Sequence, residues 1–401
     1  MPGKTENKNG YKHTPLGWIP EEWSIKTVED IAVINSETLK EKTDPNYSFH
    51  YLDLSSVDKG KISLPKEKIF YKDAPSRAKR ILKTNDVIMA TVRPNLQAFA
   101  IANFNIKDII CSTGFALLRT RLPEDSHYLY HCLFSYFITR QINDLVVGSN
   151  YPALNNDDVE NLLLPYPESS DERNKITKIL TTWDKAIEAT EKLIESKQKL
   201  KNGLMQKLLT GKKRLAGFKD KWNEKKLGEI FRISAGGDFN NDTFSAIKDA
   251  KHPYPVYSNS LTQEGLYGFT ETYRYEGNCI TVTARGTIGA ANYRDHRFDA
   301  IGRVLVLEPK SEMNNFFISE FINNKINFFV ESTGVPQLTA PHLSKYKVLC
   351  PGPSEQNAIA RILQMSDAEI KNLNVQLEKL KEQKKGLMQV LLTGKVRVKT
   401  N

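Results

Sequence analysis

The side chains with the clearest chemical potential in this sequence are basic, amide and aromatic residues placed between short apolar runs. They are Arg77, Lys79, Arg80, Arg93, Asn95 and Gln97 in the first half, and Tyr257, Asn259, Arg274, Arg285, Thr287, Arg294 and Arg303 in the second half. Arginine can bind guanine through two parallel hydrogen bonds, and asparagine or glutamine can bind adenine in the same way. The set therefore indicates contact with base edges, although each residue alone is equally compatible with a solvated or phosphate-facing position.

Arg93 and Arg285 form the best matched pair of this set. Each follows a similar β-like run, DVIMATVR from Asp86 and CITVTAR from Cys279. The pairing predicts one equivalent site in each half of the chain. A structural role for one of the two arginines fits the sequence equally well.

Sequence motifs for phosphate binding or methyl transfer are missing. The chain contains no Pro-Pro dipeptide, which excludes the NPPY-type loop of an adenine methyltransferase. Gly236 and Gly237 form no GxGxxG turn, and the TGKK and TGKV segments fail the GxxxxGK[ST] phosphate loop. We therefore expect no cofactor in this chain.

Two other groupings suggest catalytic or metal chemistry only weakly. Glu195-Ser196-Lys197 mimics part of a nuclease E-x-K motif but has no paired aspartate. His127, His131 and Cys132 carry donor atoms that bind metals, yet no further ligand is evident and the aromatic neighbours favour a packed helix. We expect no catalytic residue and no metal site, and hence a chain that is not an enzyme by itself.

Composition and charge point to a polyanionic partner. The 401 residues carry a net charge of +10, and residues 196–226 hold 11 Lys or Arg against 2 Asp or Glu. No apolar run approaches the roughly 18 residues of a membrane span, and the four cysteines include no CxxC pair. We expect a cytoplasmic protein without disulfides, membrane contact or a small-molecule substrate.

A repeat fixes the organisation of the chain. GLMQKLLTGKKRL at 203–215 recurs as GLMQVLLTGKVRV at 386–398, and similarity at the same offset extends upstream. The openers WSIKTVEDI and WNEKKLGEI, Gly114 and Gly302, and the P-x-L turns at 152–154 and 336–338 also match. Two units in tandem follow from these matches.

Each unit ends in a predicted long helix with a heptad stripe. Spacings alternating between four and three residues give Ile176, Leu180, Trp183, Ile187, Thr190, Ile194, Lys197, Lys201, Leu204 and Leu208 in the first helix. The same steps give Ile359, Leu363, Ser366, Ile370, Leu373, Leu377, Leu380, Lys384, Leu387 and Leu391 in the second. Lysines 197, 201 and 384 weaken this seam, which predicts either a poor contact there or a place where another subunit docks.

The expected helix ends are marked by capping residues. Ser169 and Glu172 suggest a capping box for the first helix, and Ser354 a cap for the second. Gly211 and Gly394 suit the left-handed position after a helix. Each helix then runs about 37–39 residues, or roughly 55–58 Å.

The predicted fold class is α+β: two mixed α/β globular domains separated by two long antiparallel coiled-coil helices, in a pseudo-two-fold tandem repeat. The predicted segments are an N-terminal arm (1–19), globular domain 1 (20–168), spacer helix 1 (169–211), globular domain 2 (212–350), spacer helix 2 (351–394) and a basic tail (395–401). Helices folded back on their own domains are the alternative.

On these motifs the chain resembles the specificity (S) subunits of type I restriction–modification systems, from about residue 15 to 398. The resemblance implies that each domain reads one half of a split double-stranded DNA target and that helix length sets the unread gap. It implies as partners two methyltransferase (M) subunits and restriction/translocase (R) subunits, which would hold S-adenosylmethionine, ATP and Mg. The docking residues it implies lie in the repeated tails: Gly203, Leu204, Met205, Leu208, Leu209, Gly386, Leu387, Met388, Leu391 and Leu392.

Two other functions remain open at the level of sequence. One is a coiled-coil scaffold that binds protein and never DNA. The other is a single-chain DNA-modifying enzyme whose motifs are unrecognised. Salt-sensitive binding of duplex DNA would separate the recognition subunit from the scaffold, and activity of the purified chain would reveal the enzyme.

Overall fold

The computed structural model describes residues 9–105, 107–146, 152–329 and 336–399. The chain divides into two compact units. Unit 1 comprises Met1–Thr190 and Gln376–Asn401, and unit 2 comprises Glu191–Val375. Unit 1 is thus built from both ends of the chain.

Unit 1 contains fourteen strands within its described part, most of them short. They are β1 (Tyr11–Thr14), β2 (Gly17–Pro20), β3 (Trp23–Thr27), β4 (Ala32–Ile34), β5 (Ser48–Leu52), β6 (Val57–Asp58), β7 (Lys61–Ile62), β8 (Ile69–Phe70), β9 (Ala78–Ile81), β10 (Val87–Ala90), β11 (Phe99–Ile101), β12 (Ile109–Ser112), β13 (Phe115–Thr120) and β14 (Leu163–Pro167). The short helices are α1 (Val28–Ile31), α2 (Ser126–Leu133), α3 (Tyr136–Leu145) and α4 (Asn156–Glu160). Residues 11–20, expected as an arm, form the β1–β2 hairpin.

Two four-stranded sheets make the body of unit 1, in the orders β11-β10-β13-β4 and β8-β5-β12-β9. The first is antiparallel, and the second includes the parallel pair β5–β12. Alternate residues of β10 enter different cores: Val87 and Met89 pack on one side, Ile88 and Ala90 on the other. Because both faces of this strand are covered, its sequence VIMA is continuously apolar.

Unit 2 repeats this plan with a different sequence. Its strands are β15 (Asn223–Lys226), β16 (Phe231–Ala235), β17 (Phe244–Ser245), β18 (Tyr254–Tyr257), β19 (Leu266–Thr270), β20 (Cys279–Val282), β21 (Ala291–Arg294), β22 (Asp299–Ala300), β23 (Leu305–Pro309) and β24 (Lys347–Cys350). The sheets run β16-β23-β20-β21 and β17-β19-β18-β22, the latter with the parallel pair β18–β22. On β23, Leu305 and Leu307 face one core and Val306 the other.

The long helices are α5 (Ser170–Leu208) and α9 (Pro353–Leu391), each 39 residues, as the heptad stripe predicts. The short helices of unit 2 are α6 (Leu227–Ile230), α7 (Asn315–Lys325) and α8 (Ala340–Leu343). Both α5 and α9 contribute one segment to each unit. Of the helices that the structure describes, none is both long enough and apolar enough to cross a membrane.

Ion pairs show that α5 and α9 run antiparallel within each unit. In unit 1 Lys384 of α9 binds Asp184 of α5. In unit 2 Lys201 of α5 binds Asp367 of α9, and the two pairs are equivalent under the 183-residue repeat. The prediction that these lysines weaken the seam is therefore wrong, because their charges are neutralised by aspartates of the facing helix. The alternative, that they mark where another subunit docks, stays a prediction. Lys197 is paired in the same way, with Glu369.

A buried glutamate at the start of each long helix ties three parts of its unit together. In unit 1, Glu172 accepts hydrogen bonds from Trp23 Nε1 at 3.1 Å and from Arg397 Nε and Nη2 at 2.6 and 2.9 Å. In unit 2, Glu355 accepts from Trp222 Nε1 at 3.0 Å and from Arg214 Nε and Nη2, both at 2.7 Å. We call each set a Trp–Glu–Arg triad. It joins the tryptophan that opens a body, the start of one long helix and the tail that follows the other.

The helix ends differ in part from the sequence-based expectations. Ser169 Oγ accepts from the Glu172 amide at 3.4 Å, but the Glu172 carboxylate belongs to the triad and closes no capping box. The second helix begins at Pro353, so Ser354 lies inside it and is not the cap; proline suits the first helical position because its missing N–H needs no partner there. Gly211 and Gly394 have φ of 67° and 66°, as predicted.

Gly394 is also required by close packing. A Cβ atom there would lie 2.4 Å from Pro20 Cγ, so the tail of α9 presses directly on the β1–β2 hairpin. Tyr11 Oη donates to the Gly394 carbonyl at 3.0 Å. A Cβ atom on Gly211 would lie 3.6 Å from the Trp222 ring, an ordinary contact, so the close packing is particular to the second tail.

A buried histidine lies between α2 and the helix pair of unit 1. His131 is 1% exposed, and its Nδ1 lies 3.8 Å from Asp184 Oδ2. Burial, with the nearby charges of Lys384 and His127, lowers the pKa of His131 well below its usual value, whereas burial raises the pKa of Asp184. The imidazole is neutral in the folded chain.

We predict that weakening the triads destabilises the protein. Glu172→Gln and Glu355→Gln keep the shape of the side chain but remove the charge that binds arginine. Each should lower the free energy of unfolding by about 1–3 kcal/mol, as measured by urea denaturation. Glu382→Gln, a change at an exposed position of α9, is the control and should leave the midpoint unchanged. Midpoints of both triad variants equal to that of the control would contradict the structural role.

We predict that acid destabilises unit 1 through His131. Since its folded-state pKa is depressed, the unfolded chain binds the proton first as pH falls. The stability that depends on the neutral imidazole is complete above about pH 6.5 and is lost below it, at up to about 1.4 kcal/mol per pH unit. Urea unfolding at pH 7.5 and 5.5 should show a smaller difference for His131→Gln than for wild type. The exposed His13→Gln is the control, and an equal pH dependence in all three proteins would refute the assignment.

Candidate nucleic-acid interface

Arg93 lies where β10 of unit 1 meets two other segments. Thr91 donates its N–H and its hydroxyl to the Gly114 carbonyl, both at 2.9 Å. The P-x-L turn lies alongside, since the Arg93 N–H donates to the Pro152 carbonyl at 2.8 Å and the Leu154 N–H to the Thr91 carbonyl at 2.8 Å. Arg93, Gly114 and the P-x-L turn, which each match a feature of the second half of the sequence, are therefore neighbours within unit 1.

The backbone around Arg93 is unusual. Arg93 and Gln97 have φ of 50° and 56°, a left-handed conformation that non-glycine residues rarely adopt. They flank a 3-10 turn, Pro94–Leu96, that exposes Asn95. Gln97 does not project outward, because its Nε2 donates to Thr139 Oγ1 at 3.1 Å. Bonds to neighbouring segments therefore hold the turn in a conformation that the isolated chain would avoid.

Arg77 reaches the same edge by another route. Its carbonyl accepts the Thr113 N–H at 2.8 Å, and Thr113 precedes the Gly114 that holds Thr91. Arg77 and Asn95 are exposed, and among the described residues neither side chain has a hydrogen-bond partner. We define Arg77, Arg93 and Asn95 as the first recognition edge.

The other two candidates of unit 1 serve the fold. Arg80 Nη1 donates to Asn35 Oδ1 and to the Phe115 carbonyl, and burial lowers the pKa of this guanidinium. Lys79 Nζ donates to Tyr71 Oη at 3.0 Å and lies 5.2 Å from the centre of that ring. Arg80 thus uses Nη1 to bind internal oxygens of unit 1, and its contact with DNA stays a prediction.

Arg285 of unit 2 also stands beside its P-x-L turn, but the leucine of the turn binds one residue before the arginine, not two as in unit 1. The Leu338 N–H donates to the Ala284 carbonyl at 2.9 Å. The Arg285 side chain donates from Nε and Nη2 to Gln337 Oε1 at 3.1 and 2.8 Å. This exposed guanidinium is therefore oriented by an amide of the turn and keeps Nη1 for a ligand.

Asn259 connects Arg285 to Arg303. Its Oδ1 accepts the Ala284 N–H at 2.7 Å, and its Nδ2 donates to the Gly302 carbonyl at 2.5 Å. Gly302 matches Gly114 in the repeat, so the equivalent carbonyl is bound directly in unit 1 and through a side-chain amide in unit 2. Both polar groups of the Asn259 amide are therefore hydrogen-bonded, and the residue links the segment that carries Arg285 to the segment that carries Arg303.

Arg303 and Thr287 complete the second recognition edge, which we define as Arg285, Thr287 and Arg303. Arg303 is exposed with φ of 66°, and no side-chain partner is found for it in the described part of the chain. Thr287 is exposed, and its carbonyl accepts from Thr283 Oγ1. The edge offers guanidinium and hydroxyl donors.

The remaining candidates of unit 2 are engaged inside the unit. Arg294 is 2% exposed and lies 3.5 Å from the centre of the Tyr257 ring, which is itself 7% exposed. Arg274 Nε binds Asp299 Oδ1 at 2.7 Å. Direct base contact by Arg294 or Tyr257 is contradicted by their burial.

The residues proposed to dock a partner divide into two groups. The buried members pack into the core of their own unit: Met205, Leu208, Leu209, Met388, Leu391 and Leu392. These are corrected to core residues, because their surface is already covered. The members that retain exposed surface are Gly203, Leu204, Gly386 and Leu387.

A cavity of about 990 Å³ opens in unit 1 beside the second tail. Its lining includes Phe134, Tyr136, Lys384, Lys385 and Met388. Tyr136 is 70% exposed. The cavity thus borders both α3 and the C-terminal part of α9.

His131 and Glu195, which weakly suggested metal or nuclease chemistry, pair with residues of their own unit. In the ranges that the structure describes, no group of three or more His, Cys, Asp or Glu side chains could hold a metal ion. His131 Nε2 lies 3.2 Å from Thr181 Oγ1, and burial raises the pKa of the Cys132 thiol. Glu195 pairs with Lys199 on the helix surface. What both edges offer is hydrogen-bond donors and positive charge.

Several residues that position the edges escaped sequence reasoning. Asp86 is buried and accepts from Arg119 Nε and Nη2, both at 2.8 Å, which anchors the start of β10. Gln337 lies inside the P-x-L motif, but Arg285 is 52 positions away in the chain, so their contact is not visible from the sequence. Asn259 was a candidate for base contact, and nothing in its sequence position indicated that its amide binds two backbone groups of the unit.

Comparison with known proteins identifies relatives over the whole chain. The family model for the type I restriction modification DNA specificity domain matches residues 20–197 and 219–382. A putative type I restriction enzyme specificity subunit, MjaX of Methanocaldococcus jannaschii, is 26% identical over 99% of this chain and 98% of its own length. A putative type I specificity subunit of Mycoplasma pneumoniae is 33% identical over 38% of this chain and 48% of its own length.

Solved structures share the fold. The crystal structure of a type I restriction–modification S subunit from M. genitalium superposes with a TM-score of 0.64, 18% identity and coverage of 98% of this chain and 99% of that one. A chain from a study of assembly and conformational transition of a type I system gives 0.61, 22% identity and coverage of 94% and 99%. With two matched domains on a duplicated framework, the chain belongs to the type I restriction–modification DNA specificity family.

Proposed function

We propose that the chain reads a split, asymmetric sequence in double-stranded DNA, one half through each recognition edge. The observation that carries this is the equivalence of the edges. In each unit the matched arginine follows a buried strand and adjoins a P-x-L turn, whereas the exposed side chains around it differ. Equivalent frameworks with unlike side chains suit the reading of two unlike half-sites.

The residue types divide the interaction into reading and anchoring. Arg77, Arg93, Arg285 and Arg303 can bind guanine, and Asn95 can bind adenine. The net charge of +10 would supply phosphate contacts that position the protein without specifying sequence. Binding should weaken as salt rises, because phosphate neutralisation releases counterions.

The chain would direct a reaction that other subunits perform. We propose that M subunits contribute S-adenosylmethionine and adenine methylation, and that R subunits contribute ATP-dependent cleavage with Mg. The M subunits would dock on the outward residues of the repeated tails, Gly203, Leu204, Gly386 and Leu387. The chain itself would be non-catalytic and would act in the cytoplasm, where these subunits meet DNA. No observation favours a scaffold without DNA binding or a single-chain enzyme.

We predict that the recognition bodies are exchangeable. Replacing residues 217–350 with the equivalent body of another family member should change the second half-site and leave the first intact. The physical basis is that β15 pairs with β24, so the body closes on itself before α9 begins. Methylated adenines should be mapped in cells that also carry the M subunit. Exchange of residues 20–168 is the reciprocal control, and an unchanged second half-site would refute modular reading.

Helix length as the determinant of the unread gap stays a prediction from sequence. Seven residues inserted into α5 between positions 190 and 191, and seven into α9 between 375 and 376, leave the ion pairs within each unit intact. Each insertion adds about 10 Å of helix, so the gap should widen by up to about three base pairs. Substitution of seven residues at the same places without insertion is the control. Methylation mapping that finds the original gap in the lengthened protein would end this idea.

A further inference from the structure

One exposed turn of unit 2 was not among the candidates from sequence. It joins β18 to β19 and exposes residues 261–264. Gln263 and Glu264 have φ of 48° and 55°, two consecutive non-glycine residues in the left-handed region. Such a conformation is unfavourable for an isolated chain and persists where the surroundings hold it.

Arg294 stabilises this turn through contacts with Glu264. Its Nη2 donates to the Glu264 carbonyl, and its Nη1 lies 3.4 Å from Glu264 Oε2. On the other side its Nε donates to Thr281 Oγ1 at 3.1 Å. Its guanidinium lies against the Tyr257 ring, and the side chain is buried. A planar group with donors on several edges makes these contacts simultaneously, which lysine cannot do.

The turn is closed at its base as well. The Ser258 N–H donates to the Gly265 carbonyl at 2.8 Å. A Cβ atom on Gly265 would lie 2.7 Å from the Ser258 carbonyl oxygen, so only glycine fits. Within the turn, the Thr262 N–H donates to Ser260 Oγ at 3.1 Å. The exposed residues therefore stand on a fixed backbone.

The turn adjoins the second recognition edge. Asn259, which leads into it, binds the Ala284 amide beside Arg285 and the Gly302 carbonyl beside Arg303. Three surface segments thus converge on one asparagine. Gln263 is exposed, and no hydrogen-bond partner of its side chain is found among the residues described. A glutamine amide in this position can bind adenine with two hydrogen bonds.

We propose that Gln263 is a further base-reading side chain of the second recognition edge, and that Arg294 is the positioning residue that holds the turn carrying it. The proposal rests on the proposed function, in which unit 2 reads the second half-site. It assigns Arg294 an indirect role: the residue acts on the DNA through the Glu264 backbone and touches no base.

The test measures base preference in the assembled complex with its M subunit. Variants Gln263→Ala, Arg294→Met and Arg294→Lys are compared with wild type by methylation of a library randomised over both half-sites. Gln263→Ala should reduce discrimination at one or two positions of the second half-site by at least about fivefold. Both Arg294 variants should reduce discrimination at those same positions. The first half-site should be unaffected in all of them.

A control and a stability measurement separate positioning from folding. Arg232→Met changes an exposed arginine of β16, 76% exposed and paired with Glu308, and should alter neither preference nor melting temperature. If Arg294 were only structural, its variants would lower the melting temperature and reduce methylation equally at all sequences, which overturns the positioning role. If Arg294→Met fails to fold, Arg294→Lys decides that role.

The two proposals fail in different ways. Unchanged preference in Gln263→Ala, with wild type still specific at both half-sites, overturns the reading role of Gln263 and leaves the proposed function standing. Loss of preference in the Arg294 variants at positions other than those of Gln263→Ala overturns the link between the two residues. A wild-type complex without sequence preference overturns the proposed function itself.

Discussion

The Trp–Glu–Arg triads are the constraint on which both units depend. A carboxylate that is almost fully buried is costly unless charge and hydrogen bonds compensate it, and here an indole N–H and an arginine do so. The arginine comes from the tail that follows the other long helix. As a result, a unit is complete only when sequence-distant segments have met, which explains why unit 1 takes its helix pair from both halves of the chain. The triads therefore couple the pairing of α5 with α9 to the folding of each body.

The repeat made much of this predictable. Glu172 and Glu355, and Arg214 and Arg397, are separated by the same 183 residues as the tails, while Trp23 and Trp222 open the two units. Helix length follows from the heptad stripe and from the glycine and proline near the helix ends. The stripe lysines were misjudged because a heptad analysis treats a charge at a seam as a defect. It does not show that Asp184 and Asp367 lie opposite, and only an antiparallel register brings them there.

The recognition edges were predictable by position and much less by residue. Arg93 and Arg285 were recognisable since the strands before them match and since a P-x-L turn recurs downstream. The direction in which a side chain points was not recognisable. In the sequence, Arg80 and Arg294 look no different from Arg77 and Arg303. In the structure, Arg80 and Arg294 bind internal oxygens, whereas Arg77 and Arg303 face outward. Burial decides between these roles, and it depends on sheet register and on long-range neighbours such as Asn35 and Glu264.

Under the proposed function, outward side chains that contact bases differ from side chains that hold the backbone in place. This difference bears on how sequence specificity can change. A surface arginine can be replaced with little effect on the fold, because water compensates its loss. Asn259 and Arg294 cannot be replaced so freely, since each satisfies backbone groups that would otherwise remain unpaired. We therefore expect new DNA half-sites to arise by substitution of outward residues such as Gln263, Arg285 and Arg303, while Asn259 and Arg294 stay unchanged. The two units already follow this pattern, with one strand-and-turn framework and different side chains around the shared arginine.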